Sequence, residues 1–289
     1  MKKITLLLAT LLILTISCNK IDTSQEVFNI IGPVEVSPWD PVYAQTVIQK
    51  IYMEEFTGHR CIYCPAGARE LKAIMEDDPT IIATAIHCSD LADPVNPPFD
   101  KNYKTPMGDQ LCRDLNIRAL PQATINRMES STNEWGFDRT KWRSTIESID
   151  RNNVRAGIQL QCRVDEDKQE IEANVAVTII KELPNPVQLC VILQQDRIIS
   201  GQIDGSDYIL DYEHNHMLRV GFNDNYGTKL TPNGIVDAQK KYSTTFKIVY
   251  GNSFPYSQVS VVIENCSVVA YLIDMVTKEV VQVEYFSFH

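Results

Sequence analysis

The chain has 289 residues, with 27 Lys and Arg against 37 Asp and Glu and a formal net charge of −10. That acidic balance argues against nucleic-acid binding, which requires a basic face. The length is enough for two domains of ordinary size behind a cleaved leader.

The leader comes first. Lys2 and Lys3 form a basic start, Ile4 to Ile16 is almost wholly apolar with Thr as its only polar type, and Ser17 is a small residue before Cys18. This is the order of a secretory signal. The apolar run is shorter than the ~20 residues that span a bilayer. A cysteine directly after the small residue adds the mark of a lipoprotein, in which the peptidase cuts before a cysteine whose thiol carries diacylglycerol. Residues 1–17 are therefore read as signal peptide and Cys18 as the lipidation site. Thr15 stands where such signals usually carry Leu, and the competing reading is an ordinary signal peptide with a chance cysteine. Several acyl chains on one residue anchor stably, since each buried CH₂ contributes ~0.8 kcal/mol. Cys18→Ala is expected to abolish membrane retention and fatty-acid incorporation. Equal metabolic label on both proteins would refute the lipid anchor.

Residues 18–44 read as lipidated N-terminus and tether, interrupted by Pro33, Pro38 and Pro41. Residues 45–152 read as α/β. Val47 to Phe56 is a predicted strand, and Pro65 to Asp77 a helix with Ala66, Leu71, Ile74 and Met75 on its apolar stripe. Ile81 to His87 opens as a buried strand, and Cys88 to Pro106 is a proline-rich loop. A helix to Leu115, a short strand at Gln122 to Asn126 and a helix at Asp138 to Ile149 follow. From about residue 153 the patterning is that of strands alone. The candidates are Arg155 to Val164, Glu170 to Ile180, Val187 to Ile199, Tyr242 to Tyr250, Val259 to Ile263, and a closing hairpin of Val268 to Asp274 with Glu279 to Phe286. Such a run predicts an antiparallel sandwich, with a closed barrel as the alternative.

Eight cysteines are present, and Cys18 is assigned to lipid. Cys61, Cys64, Cys88, Cys112, Cys162, Cys190 and Cys266 remain, an odd set for an oxidising compartment. One redox-active pair with some buried thiols accounts for that more easily than a purely structural framework. Cys61-Ile62-Tyr63-Cys64 sits between a predicted strand and a predicted helix. Unpaired N–H groups and the dipole at a helix start favour a thiolate, and His59 and Arg60 suggest further positive character. A thiolate attacks disulfides and a second cysteine resolves the mixed disulfide, so Cys61 and Cys64 are candidate catalytic residues. A static disulfide is one alternative. Half of a zinc site, with His59 or with His87 and Cys88, is another, although a second close pair of ligands is lacking. His214 and His216 would share a face on a strand and could grip a metal, but a satisfied polar pair is the better reading. No cofactor or metal is expected.

The Cys-x-x-Cys after a strand, Leu120-Pro121 between a helix and a short strand, and Glu55 six residues before Cys61 together resemble the thioredoxin superfamily. The resemblance covers about residues 45–150. It implies Cys61 as nucleophile, Cys64 as resolving cysteine, Pro121 as a cis-proline facing the disulfide, and Glu55 as a buried proton acceptor. The other reading of Glu55 is a partly exposed or paired strand residue. Arg60 in place of the usual Trp, and Ile-Tyr in place of Gly-Pro, depart from the family pattern. Beyond this, Glu55 to Ala68, Ala85-Ile86-His87, His214 to Arg219 and Val268 to Leu272 are arranged as in a family of Bacteroidales outer-membrane lipoproteins named for a 28-kDa outer-membrane protein. That second resemblance implies an α/β thioredoxin-like domain followed by an all-β, immunoglobulin-like sandwich domain, at the outer membrane and facing periplasm or cell surface. Two functions follow as expectations. One is thiol–disulfide exchange on the thiols or disulfides of exported proteins. The other is surface binding or adhesion to a partner protein, with a structural disulfide.

Overall fold

The computed structural model describes residues 30–130 and 134–289. The leader and Cys18 lie outside the described residues. In chain order the elements are β1 (Ile30–Ile31), β2 (Glu35–Pro38), α1 (Pro41–Thr46), β3 (Ile51–Thr57), α2 (Cys64–Asp77), β4 (Ile81–His87), α3 (Pro106–Asp114), β5 (Gln122–Ile125), β6 (Phe137–Asp138) and α4 (Trp142–Glu147). Then come β7 (Ala156–Asp165), β8 (Glu170–Ile179), β9 (Val187–Gln195), β10 (Ile198–Asp204), β11 (Asp207–His214), β12 (Met217–Gly221), β13 (Thr228–Lys229), β14 (Lys240–Val249), β15 (Cys266–Asp274) and β16 (Val280–Ser287). No helix among the described residues is long and apolar enough to cross a membrane.

The chain is mostly β-sheet, in more than one sheet. One sheet runs β1-β14-β8-β7, with β2 also on β14. The large sheet runs β16-β15-β9-β12-β4-β3-β5-β6, with β13 also on β9. The first sheet packs face to face on the β9–β15 part of the second, as in a β-sandwich, around Ile171, Val175, Phe246, Val191, Val268 and Leu272. Alternate residues of those same strands, Ile192, Val269 and Tyr271, point the other way and pack with Tyr52, Phe56, Ile86 and α3 residues Met107 and Leu111. Strand β3 also divides its side chains. Ile51 and Met53 join Leu71 and Ile74 of α2 and Trp142 of α4 in a third cluster, while Tyr52 and Phe56 face α3.

The large sheet crosses the expected boundary at residue 152. Strand β12 lies parallel to β4, with Met217 opposite Ala85, and the Ala85 N–H donates to the His216 carbonyl at 2.7 Å. The segment read as a tether is ordered from Ile30 onward. Its short strands satisfy the free edge of β14, and α1 starts at Pro41 under an Asp40 cap that accepts from the Val42 and Tyr43 N–H groups.

Three readings along the chain need correction. Val187 to Ile199 is not one strand, because Arg197 turns the chain with φ 56° and starts β10. Val259 to Ile263 is not a strand, because the Val259 and Ser260 carbonyls accept from Arg219 instead of a neighbouring ladder. The helix expected at Asp138 to Ile149 begins as the end of β6 and a 3₁₀ turn, Arg139–Lys141, before α4.

Candidate functional site

The site forms where β3, the start of α2 and the β10–β11 hairpin meet. Cys61 and Cys64 are joined in a disulfide, with their Cα atoms 5.4 Å apart. The turn before α2 is fixed by its own backbone: the Cys61 N–H donates to the Gly58 carbonyl at 3.0 Å, and the Cys64 N–H to the Cys61 carbonyl at 3.3 Å. Helix α2 begins at Cys64 with Pro65 in its first turn, so Cys61 lies in the turn ahead of it and Cys64 opens it. Gly58 is required where this turn meets the next loop, since a Cβ there would lie 2.8 Å from the Leu91 backbone.

Glu55 lies on the α2 side of β3 and is 2 % exposed. Gly67 of α2 is seated directly over it: a Cβ on Gly67 would be 2.7 Å from Glu55 Oε1 and 2.9 Å from Pro121 Cβ. The missing side chain thus lets the helix bring Glu55 and Pro121 to one spot. The Leu120–Pro121 peptide is cis. Glu55 is neither exposed nor paired, which corrects the alternative reading of it. Its Oε1 has no hydrogen-bond partner, and burial pushes the carboxyl up to about 8. Its neighbour Glu54 faces the other side of β3, where Arg127 pairs with it at 2.6 Å.

A cavity of about 520 Å³ adjoins the disulfide, lined by Glu55, Cys64, His87, Gln202, Tyr212 and His214 among others. Three imidazoles gather around Tyr103 at this end of the sheet. Ring centroids are 5.2 Å apart for His59–Tyr103, 5.3 Å for His87–Tyr103 and 5.4 Å for Tyr103–His214. Neither nitrogen of His87 has a hydrogen-bond partner, nor does Nε2 of His214. Burial pushes His59 down to about 4, with the Arg60 charge adding to it, and His214 down to about 4, with His59 adding. His87 is driven well below its ordinary range by burial and by the other two rings. His59 is therefore neutral at pH 7 and does not lend the turn the positive character that the sequence suggests.

His214 and His216 do not share a face. Strand β11 ends at His214, and His216 turns with φ 55° so that its N–H donates to Asp196 at 2.5 Å and its Nδ1 lies 3.1 Å from the same carboxylate. No group of His, Cys, Asp and Glu among the described residues has the geometry of a metal site.

The β10–β11 hairpin had no counterpart in the sequence reading. It lies across the Cys-x-x-Cys turn. Gln202 Nε2 donates to the Cys61 carbonyl at 3.2 Å and to the Gly58 carbonyl at 3.4 Å. The Ile203 N–H donates to the His59 carbonyl at 3.0 Å and the Gly205 N–H to the Ile62 carbonyl at 2.9 Å. Arg69 on α2 adds an ion pair to Asp204 at 2.7 Å. Under this cover Cys61 is 2 % and Cys64 1 % exposed, while Tyr63 between them is open to solvent.

Residues 108–287, more than half of the chain, match the family model described as "Outer membrane protein Omp28". The chain belongs to the Omp28 outer membrane protein family. Membership in the Omp28 family places it at the outer membrane. Among solved structures, HBP35 of Porphyromonas gingivalis is similar over 84% of this chain and 76% of its own, at 14% identity and a TM-score of 0.63, a likeness of fold. A domain of the outer membrane lipoprotein Omp28 from Porphyromonas gingivalis matches over 48% of this chain and 92% of its own, at 23% identity and a TM-score of 0.32. No curated protein matches.

Proposed function

We propose that this Omp28-family protein is a lipid-tethered thiol–disulfide exchange protein of the cell envelope, held by Cys18 and acting on thiols or disulfides of exported proteins through a thioredoxin-like unit spanning about residues 45–152. The observation that carries this reading is Glu55. A buried carboxyl with an unpartnered oxygen costs stability, and here it shares a cavity with Cys64. In the reducing direction, the Cys61 thiolate attacks a substrate disulfide, forms a mixed disulfide and releases one substrate thiolate. Glu55 takes the proton from the Cys64 thiol. The Cys64 thiolate then attacks Cys61 Sγ, closes the disulfide and releases the second substrate thiolate. Pro121 packs beside Glu55 and Gly67, next to the Cys64 end of the disulfide.

One observation favours a second reading, a surface binding protein with a structural disulfide: the hairpin covers both sulfurs. Insulin reduction or oxidation of a scrambled disulfide protein tests the choice. Activity is expected in the native chain and absent in Cys61→Ser, and Cys64→Ser is expected to retain mixed disulfides with exported proteins. Gln202→Ala, which removes the hairpin's two side-chain bonds to the turn, is expected to accelerate reduction of Cys61–Cys64. If the native protein is inactive and its disulfide survives millimolar-range glutathione even in Gln202→Ala, the binding-protein reading replaces the exchange reading.

A further inference from the structure

Strands β10 and β11 form a two-stranded sheet of their own, outside both larger sheets. This arm joins the body at one end, where Arg197 and His216 turn the chain with φ 56° and 55°. Its two feet are tied together: the Arg197 N–H donates to Asn215 Oδ1 at 2.9 Å, and Asp196 accepts from the His216 N–H. Beyond the feet the arm is lightly packed, since His214 is the one buried residue of β11. Imidazoles line the seam beneath it from both sides. His214 comes from the arm and His87 from β4, with ring centroids 5.5 Å apart. His59 comes from the Cys-x-x-Cys turn, and Tyr103 packs against all three. Neither nitrogen of His87, nor Nε2 of His214, meets solvent or a hydrogen-bond partner. Other charges do not neutralise a proton there. Tyr212 packs on His214 at 4.8 Å, Arg60 and Asp93 act on His59 in opposite senses, and Asp100 lies by Tyr103. Glu55 lines the cavity from β3 and keeps its own proton at neutral pH. Farther round the cavity Arg69, Lys72 and Arg197 are cations, while Asp196, Glu213 and His289 are engaged by His216, Asn215 and Ser287.

We infer that the β10–β11 hairpin is an acid-released cover, in which protonation of the histidine cluster lifts the arm from the Cys-x-x-Cys turn and uncovers the Cys61–Cys64 disulfide. A proton on His87 or His214 puts a cation where neither water nor a carboxylate reaches it, and protons on both put like charges across the seam. Lifting the arm gives the rings to water, so acid favours the lifted state. The bonds that let go are those from Gln202, Ile203 and Gly205 to the carbonyls of the turn. The pH window follows from the covered ring. His214 is lowered from 6.5 to about 4 while covered, so the closed state is fully favoured above 6.5 and loses ground as pH falls toward 4. One ring that gains a proton on opening enlarges the lifted population by up to about tenfold per pH unit in that interval. Where opening wets Glu55, that group acts in the opposite sense, since its covered form holds a proton up to about 8. The inference rests on the exchange reading only for the use made of the uncovered disulfide, which the cover would then control.

The test is the rate at which a water-soluble phosphine reduces Cys61–Cys64 in the native mature chain between about pH 7.5 and 4.5, read by alkylation and mass spectrometry. Each rate is divided by that of a small exposed disulfide at the same pH, which removes the reagent's own pH dependence. Far-UV circular dichroism is recorded alongside. The normalised rate is expected to rise roughly tenfold or more from pH 7.5 to 4.5 with the β-sheet signal unchanged. It is expected to rise at least as much in Glu55→Gln, where the opposing group is gone. In the double variant His87→Gln, His214→Gln most of the rise is expected to be lost, whereas substitutions that merely loosened the arm would speed reduction equally at every pH. A normalised rate that is flat or falls with acid in both the native chain and Glu55→Gln overturns the cover. So does a rise confined to pH values where the circular dichroism signal is lost, or one kept in full by the double variant. No substrate protein enters this assay. A native chain inactive on insulin but reduced faster in acid would therefore defeat the exchange reading and leave the cover standing.

Discussion

Arg127→Ala is expected to destabilise the fold by about 3–5 kcal/mol, the cost of breaking a buried ion pair from one side. Arg127 is completely buried, and its Nε and Nη2 donate to the two oxygens of Glu54 at 2.7 and 2.6 Å. Thr124 Oγ1 donates to the same carboxylate at 2.7 Å, and Arg127 Nη2 also donates to the Tyr271 hydroxyl at 3.1 Å. The guanidinium therefore joins β3, the turn after β5, and β15, three places on both sides of residue 152. Removing it leaves the Glu54 charge buried and without its cation. The double change Glu54→Leu with Arg127→Met removes both charges and is expected to cost less than Arg127→Ala alone, because no unpaired ion remains. Urea unfolding of the three proteins checks this. A loss below about 1 kcal/mol for Arg127→Ala would show that the pair is hydrated and contributes as a surface pair does.

The parts of this architecture that were legible from sequence are those encoded locally. Ile81 to His87 reads as a strand and is one, to the residue, because a near-continuous apolar run has few other uses. The start of α2 was legible from Pro65, whereas Glu55 and Pro121 were singled out by the resemblance to the thioredoxin superfamily. The environment of Glu55 was not legible. Its burial depends on Gly67 letting α2 settle over it, a contact between residues twelve apart in sequence. The hairpin over the disulfide was missed because Asp207–His214 leaves Tyr208 and Leu210 exposed and buries only His214, so no apolar face marks it as a core strand. The junction of the two regions was missed because β12 is placed beside β4 by partner choice, which no local period records. The histidine cluster has the same origin. His59, His87 and His214 come from a turn, a strand end and a hairpin, and only the assembled sheet makes them neighbours. The buried neutral state of His59 reverses the electrostatic expectation for the turn.

Glu55→Gln is expected to remove a pH dependence of stability that reaches about 4–5 kcal/mol by pH 8, at ~1.4 kcal/mol per pH unit. The folded carboxyl is raised from 4.5 to about 8 by burial. Between those values the folded state keeps a proton that the unfolded chain has released. Stability associated with this group is therefore complete below about pH 4.5, falls as pH rises toward 8, and is flat above. Gln has nearly the same shape and no titration, so the variant should match the native protein near pH 4.5 and exceed it increasingly up to pH 8. The buried histidines act in the opposite sense. His59 and His214, lowered from 6.5 to about 4, add stability as pH rises through that interval. They are unchanged in the variant, so the difference between the two proteins isolates Glu55. Urea unfolding from pH 4.5 to 9 supplies the measurement, with the disulfide intact throughout so that no cysteine titrates within the pair. A difference that is constant with pH would mean that Glu55 is ionised and solvated in the fold, and the proton-acceptor role for Cys64 would fail with it. A difference that grows to pH 8 and then levels would give this carboxyl a proton affinity in the range that a base for a thiol requires near neutral pH.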